Sequence, residues 1–174
     1  MLMLSAVVTA FAVRAEEPTD PQIAAIVVTA NQVDIDAGKL ARSKAQSKAV
    51  AAFAERMIVD HEGVNKAASS LVARLQLTPE PNATSQSLQQ GGGENLAKLQ
   101  QLGGQAFDRA YVEHEVAYHE AVLDAVDKTL IPSAQNAELK ALLVKVRPAF
   151  VAHLEHARQL QASLGQAGSV EHGQ

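Results

Sequence analysis

Cysteine is absent from this 174-residue chain. Thiolate zinc sites, iron–sulfur ligation and disulfides are therefore excluded. Tryptophan is absent too, and aromatic residues make up only 3% against 47% apolar residues overall. A core built from Ala, Val and Leu suits close-packed helices better than a β-sandwich. The net charge is −4 with both signs mixed. No basic run or basic–aromatic patch occurs, so no nucleic-acid partner is expected. The chain also lacks His-Glu-x-x-His, Gly-x-Ser-x-Gly and phosphate-binding loops.

The N-terminal apolar run, Met1 to Val13, is too short to span a bilayer as a stable helix. Val13-Arg14-Ala15 follows, and then the polar stretch EEPTDP. This reads as a secretory signal over residues 1–15 with cleavage near Ala15. It departs from the usual pattern in one respect, since no Lys or Arg precedes the apolar run. The reading implies export to the periplasm or cell envelope, with no membrane span in the mature chain. One domain is then expected over 16–165, and a disordered tail over 166–174. A domain of this size buries about 70% of the surface that its unfolded chain exposes.

Four main helices follow from the apolar spacing. The first starts at Thr19 or Asp20 with Pro21 in its first turn, and its stripe runs from Ile23 to Ala41 through Asp34. The second is capped by Ser47 and carries Val50, Ala54, Met57, His61, Val64, Ala68, Leu71 and Leu75, a seam of the kind that lines bundle interiors. Residues 78–93 have loop composition, with two Pro and three Gly. A short apolar piece follows at Leu96, Leu99 and Leu102. The third main helix is expected from about Ala106 to Leu130, with His119 on its apolar surface and His114 at the edge. The fourth runs from about Ser133 to Leu164, with Pro148 inside it and His153 on its stripe. The expected fold is all-α, an antiparallel up-down four-helix bundle.

Asp34, His61, His119 and His153 thus place one candidate ligand on each apolar stripe, where a polar side chain is costly to bury without a partner. Counting from a turn centred at Ser47, Asp34 lies 13 residues before and His61 14 after. From a turn centred at Pro132, His119 lies 13 before but His153 21 after. At about 1.5 Å of rise per residue, the second pair is out of level by roughly 12 Å. Three imidazoles and a carboxylate suit zinc first, with iron, copper or nickel as alternatives. Glu115, Tyr111 and Tyr118 are candidates to orient the imidazoles. A di-iron centre of the Glu-x-x-His type is not expected. The residues three before His61, His114, His119, His153 and His156 are Ile58, Tyr111, Val116, Phe150 and His153, none of them acidic. The bland reading is a hydrogen-bonded Asp–His network that fixes helix register without metal. His114 and His156 read as surface or supporting residues, and Asp60 and Glu62 as solvated acids flanking His61.

The phrases VDIDAGKLA (33–41), FAERMIVDHEGVN (53–65), FDRAYVEHEVAYHEAV (107–122) and RPAFVAHLEHA (147–157) resemble a bacterial family of exported four-helix proteins. That family is labelled domain of unknown function 4142, and its members are described as periplasmic or outer-membrane proteins. The resemblance covers roughly residues 20–164 and implies a ferritin-like bundle. The family pattern has acidic residues at Asp34 and Asp36, usually Glu, and His at positions 61, 119 and 153. It implies no reaction or protein partner. The expected function is a mononuclear metal site in metal handling or envelope stress. The alternative is a non-enzymatic envelope interaction or stress protein with a metal-free Asp–His network. An enzymatic role would need an open coordination position and a substrate cleft, which no sequence feature reports.

Overall fold

The computed structural model describes residues 17–170, with side chains described as far as Gln166. The signal segment expected over 1–15 and residues 171–174 lie outside the described residues. The fold is all-α, with no strand among the described residues. The elements are α1 (Asp20–Lys44), α2 (Lys48–Arg74), α3 (Ala83–Gln100), α4 (Gly104–Ala125), a π-helical turn (Val126–Leu130), α5 (Ile131–Ser133) and α6 (Ala137–Val170). No helix among the described residues is long and apolar enough to cross a membrane.

Thr19 is the N-cap of α1, and its backbone N–H donates to Gln22 Oε1 at 3.1 Å. Three residues later than α1 ends, α2 has turned back along it. Arg42 pairs with Glu55, Lys39 with Glu62 and Asn65 with the Val28 carbonyl, so the two helices run antiparallel. The expected Ser47 cap accepts from Val50 N at a long 3.5 Å. Buried Asp108 on α4 holds this corner more firmly, accepting from the backbone N–H groups of Gln46 and Ser47 at 3.0 and 2.7 Å. Such charge-assisted bonds at a helix N-terminus also answer its orphan donors and dipole. Gln76 ends α2 in the left-handed region, with φ 55°. Gln76 N bonds Ala73 O and Leu77 N bonds Val72 O, which makes a Schellman motif with Gln where Gly is usual.

The loop expected over 78–93 is mostly helix. Only residues 75–82 connect α2 to α3, whose 18 residues take in the three consecutive glycines. Composition misled because Gly lowers helix propensity by about 1 kcal/mol per residue relative to Ala. Two features outweigh that cost. Asn82 and Ser85 form a reciprocal cap, with both bonds at 2.9 Å. Tertiary packing does the rest: α3 lies along α1, Leu99 is fully buried, and Gly92 lets the two backbones close on Val33.

The connection after α4 also differs from the expectation. The helix widens into the π turn, passes through α5, and α6 begins at Ala137 rather than Ser133. Asp20 brackets this connection, accepting from the backbone N–H groups of Gln135 and Asn136, both at 2.9 Å. Asn136 Oδ1 in turn accepts from the Glu138 and Leu139 N–H groups that open α6. Pro148 stays inside a continuous α6, which runs past Leu164 to Val170. Asp127–Arg147 and Glu120–Arg158 pairs set α4 and α6 antiparallel. α2 packs on α6, and α1 touches α4.

Two apolar clusters divide the core. One holds Phe53, Met57, Tyr111, Val112 and Ala157; the other holds Ile26, Ala68, Val126, Leu130 and Leu143. On each of α1, α2, α4 and α6, the expected ligand falls between the residues given to the two clusters. The polar residues therefore form one layer between two apolar ones.

Candidate metal centre

The structure brings the four sequence-predicted residues together. Asp34, His61, His119 and His153 are each at most 3% exposed. The three imidazoles bring one ligand atom each to within 4.8 Å of one another. Their ring centroids are 5.7 Å (His61–His119), 5.2 Å (His61–His153) and 5.4 Å (His119–His153) apart. Asp34 Oδ2 lies 3.0 Å from His61 Nε2 and 3.5 Å from His119 Nε2. Asp34 groups with Glu115 and His119 as a second, overlapping ligand set. The level mismatch expected for His153 disappears because the true turn is centred near Gln135. From there His119 lies 16 residues back and His153 18 on, a difference of about 3 Å.

Each imidazole is oriented by an acceptor on its outer nitrogen. His61 Nδ1 faces Asn31 Oδ1 at 2.6 Å, and Asn31 is itself fixed because its Nδ2 donates to Val27 O at 2.7 Å. His119 Nδ1 faces the Glu115 carbonyl at 3.0 Å. His153 Nε2 faces Asp60 Oδ2 at 2.8 Å. All three partners can only accept, so each of those ring nitrogens carries the hydrogen. In the neutral rings, the lone pairs then belong to His61 Nε2, His119 Nε2 and His153 Nδ1. Those three atoms, and both oxygens of Asp34, are buried and make no hydrogen bond. The Asp34 contacts to His61 and His119 fall within ion-pair distance. Phe150 stacks on His61 at 5.3 Å and 8° and closes one side.

Three imidazole lone pairs and a carboxylate thus share one buried layer with the Glu115 side chain. Burial alone would raise the Asp34 carboxyl, whereas a proton on the facing imidazoles, His61 foremost, then His119 and His153, holds it below the usual carboxylate range. Glu115, fully buried, is pushed well above its ordinary value by burial and then by the Asp34 charge, with Tyr111 opposing. Burial lowers His119 against the pull of Asp34. It lowers His153 to about 4, with Asp60 opposing and the other two imidazoles adding to the shift. Neutral imidazoles are the form that binds metal.

The supporting residues were only partly foreseen. Glu115 orients His119 through its backbone carbonyl, while its Oε2 lies 3.6 Å from the same nitrogen. Tyr118 orients no imidazole; its hydroxyl donates to the Ala30 carbonyl at 2.8 Å. The buried Tyr111 hydroxyl orients no imidazole; it faces the Glu115 carboxyl. Asp60 is more than a solvated acid. One residue along the helix from His61, it turns towards α6, where it meets His153 as well as Arg56. Glu62 does pair in solvent, with Lys39. Asn31 escaped notice, although its place three before Asp34 puts it on the same stripe. Asp36 is only half-buried and accepts from Gln32. His114 stacks on Tyr118, and His156 packs edge-on against Phe53.

A family model described as Domain of unknown function (DUF4142) matches residues 6–160. No curated protein sequence and no solved structure matches the chain.

Proposed function

The chain belongs to the DUF4142 family, defined without a function, and from that premise we propose that it is an exported metal-binding protein. One transition-metal ion is held at the centre of a ferritin-like, antiparallel four-helix bundle formed by α1, α2, α4 and α6. His61 Nε2, His119 Nε2, His153 Nδ1 and Asp34 are its ligands. The observation that carries the proposal is the inward convergence of three unpaired imidazole nitrogens whose tautomers are set by Asn31, the Glu115 carbonyl and Asp60. Partners of this kind orient ligating histidines and raise their basicity. A divalent ion would draw Glu115 into its ionised form, and the ion, Asp34 and Glu115 would then sum to zero charge. Zinc fits the nitrogen-rich set first, with iron, copper or nickel as alternatives. The role is metal handling or envelope stress rather than catalysis.

A second reading has one observation in its favour. The 3.0 Å approach of Asp34 to His61 would be an ion pair if His61 were protonated, giving a metal-free network that fixes helix register. The two readings separate by metal analysis and melting of the full chain purified without a His-tag. The metal reading expects one ion per chain, lost in His119→Ala. Free zinc at 100 times its dissociation constant adds about 2.7 kcal/mol, or roughly 5–11 °C in melting temperature at this chain length. No stoichiometric metal, with melting unmoved by zinc, would establish the register network instead.

A further inference from the structure

Beside the proposed ion lies an apolar chamber of about 140 Å³ that the centre itself does not use. His61, His119 and Phe150 form part of its wall, and the rest is mostly aliphatic. Val126 and Leu130 of the π turn also face it. π turns within helices occur frequently at functional sites. Thr84, Leu88 and Tyr118 line both this chamber and an open groove of about 520 Å³ outside it, so the two spaces adjoin at α3.

Water has few partners in the chamber. Asn31 bonds Val27 O and His61, and the Tyr118 hydroxyl bonds Ala30 O. His61 and His119 commit their Nδ1 atoms to Asn31 and the Glu115 carbonyl and approach Asp34 with Nε2, which leaves the Thr84 hydroxyl as the other polar side-chain group in the wall. A buried water needs two to four polar partners, and a purely apolar cavity of roughly 150 Å³ stays dry and takes benzene or xenon. We infer that this chamber is a binding site for one small apolar molecule, up to about the size of a six-carbon ring, held against the His61–His119 face. Binding in the chamber stands on the metal-free chain, whereas its position beside an ion rests on the metal reading above.

Calorimetric titration of the full, chelator-treated chain with benzene tests the site, with phenol as the polar comparison of similar shape. Saturable one-to-one binding of benzene is expected, at least tenfold weaker for phenol. Ala125→Leu, which fills the chamber, should weaken benzene at least tenfold. Ala30→Leu fills it from α1 and serves if the first variant does not fold. No saturable benzene binding by the wild type, or wild-type affinity in the filled variants, overturns the inference. In cobalt-loaded protein, saturating benzene should shift the visible absorption of the bound ion, and an unchanged spectrum overturns the placement beside it. Benzene binding without cobalt uptake would sink the metal centre and uphold the chamber.

Discussion

Gly91, Gly92 and Gly93 are consecutive in α3, yet alanine should act in opposite directions on them. At an exposed helix position, Ala is favoured over Gly by about 1 kcal/mol. A Cβ at Gly91 or Gly93 meets nothing within 4 Å, so that gain should appear in full. At Gly92 the Cβ would stand 2.7 and 2.8 Å from the two Val33 methyls and 3.3 Å from Val33 Cβ. Comfortable carbon contacts are about 3.5–4.0 Å. Valine is held to one main rotamer in a helix, and both methyls are already close, so turning the side chain gives no relief. Overpacking of this kind costs about 1–3 kcal/mol. Gly92→Ala should therefore destabilise by about 1 kcal/mol net, while each neighbour stabilises by a similar amount. In urea, each change moves the midpoint by roughly 0.3–1 M at constant slope. Val33→Ala made together with Gly92→Ala should recover part of the loss, as expected for residues in contact. If Gly92→Ala stabilised the chain like its neighbours, the close approach of α3 to α1 would be wrong, and with it the floor of the open groove outside the chamber.

Acid should weaken the metal-free fold through His153, whose pKa falls from 6.5 to about 4 in the folded chain. Below pH 6.5 the unfolded chain takes up a proton that the folded one refuses, so stability falls from there to about pH 4, by up to about 3 kcal/mol for this group. Urea titrations at successive pH values should show that slope in wild type and a shallower one in His153→Gln; equal slopes would remove His153 as the cause. Gln76→Gly should raise stability by about 1 kcal/mol, since the left-handed φ of 55° costs a non-glycine residue roughly that much. A lower urea midpoint in that variant would contradict the Schellman ending of α2.

The site was more legible than the fold around it, for a physical reason. A polar residue on an apolar stripe is visible by periodicity alone, so Asp34, His61, His119 and His153 could each be found without knowing where their helices begin. The height of His153 could not be, because it depends on how the chain turns after α4. The π turn, α5 and the Asp20 bracket on Gln135 and Asn136 decide that, and the pairing of Asp20 with residues 115 and 116 positions later has no local signal. The same limit hid α3. Three glycines and two prolines describe the local preference of 78–93 correctly, but the helix is held by the capping pair and by a groove on α1 that only a residue without a side chain can enter.

What periodicity cannot supply is direction, and direction decides the chemistry here. Asp60 and His61 are neighbours in sequence, but consecutive helix positions do not face each other. His61 therefore points to the centre while Asp60 reaches across to α6 and takes the outer nitrogen of His153. That single bond turns the His153 lone pair inward through Nδ1, whereas His61 and His119 turn theirs inward through Nε2. A network of neutral rings that only set helix register would have to answer Asp34 with the proton that burial keeps on Glu115. Three outer acceptors instead leave every inward nitrogen a lone pair, and a cation is the species that such an arrangement fits.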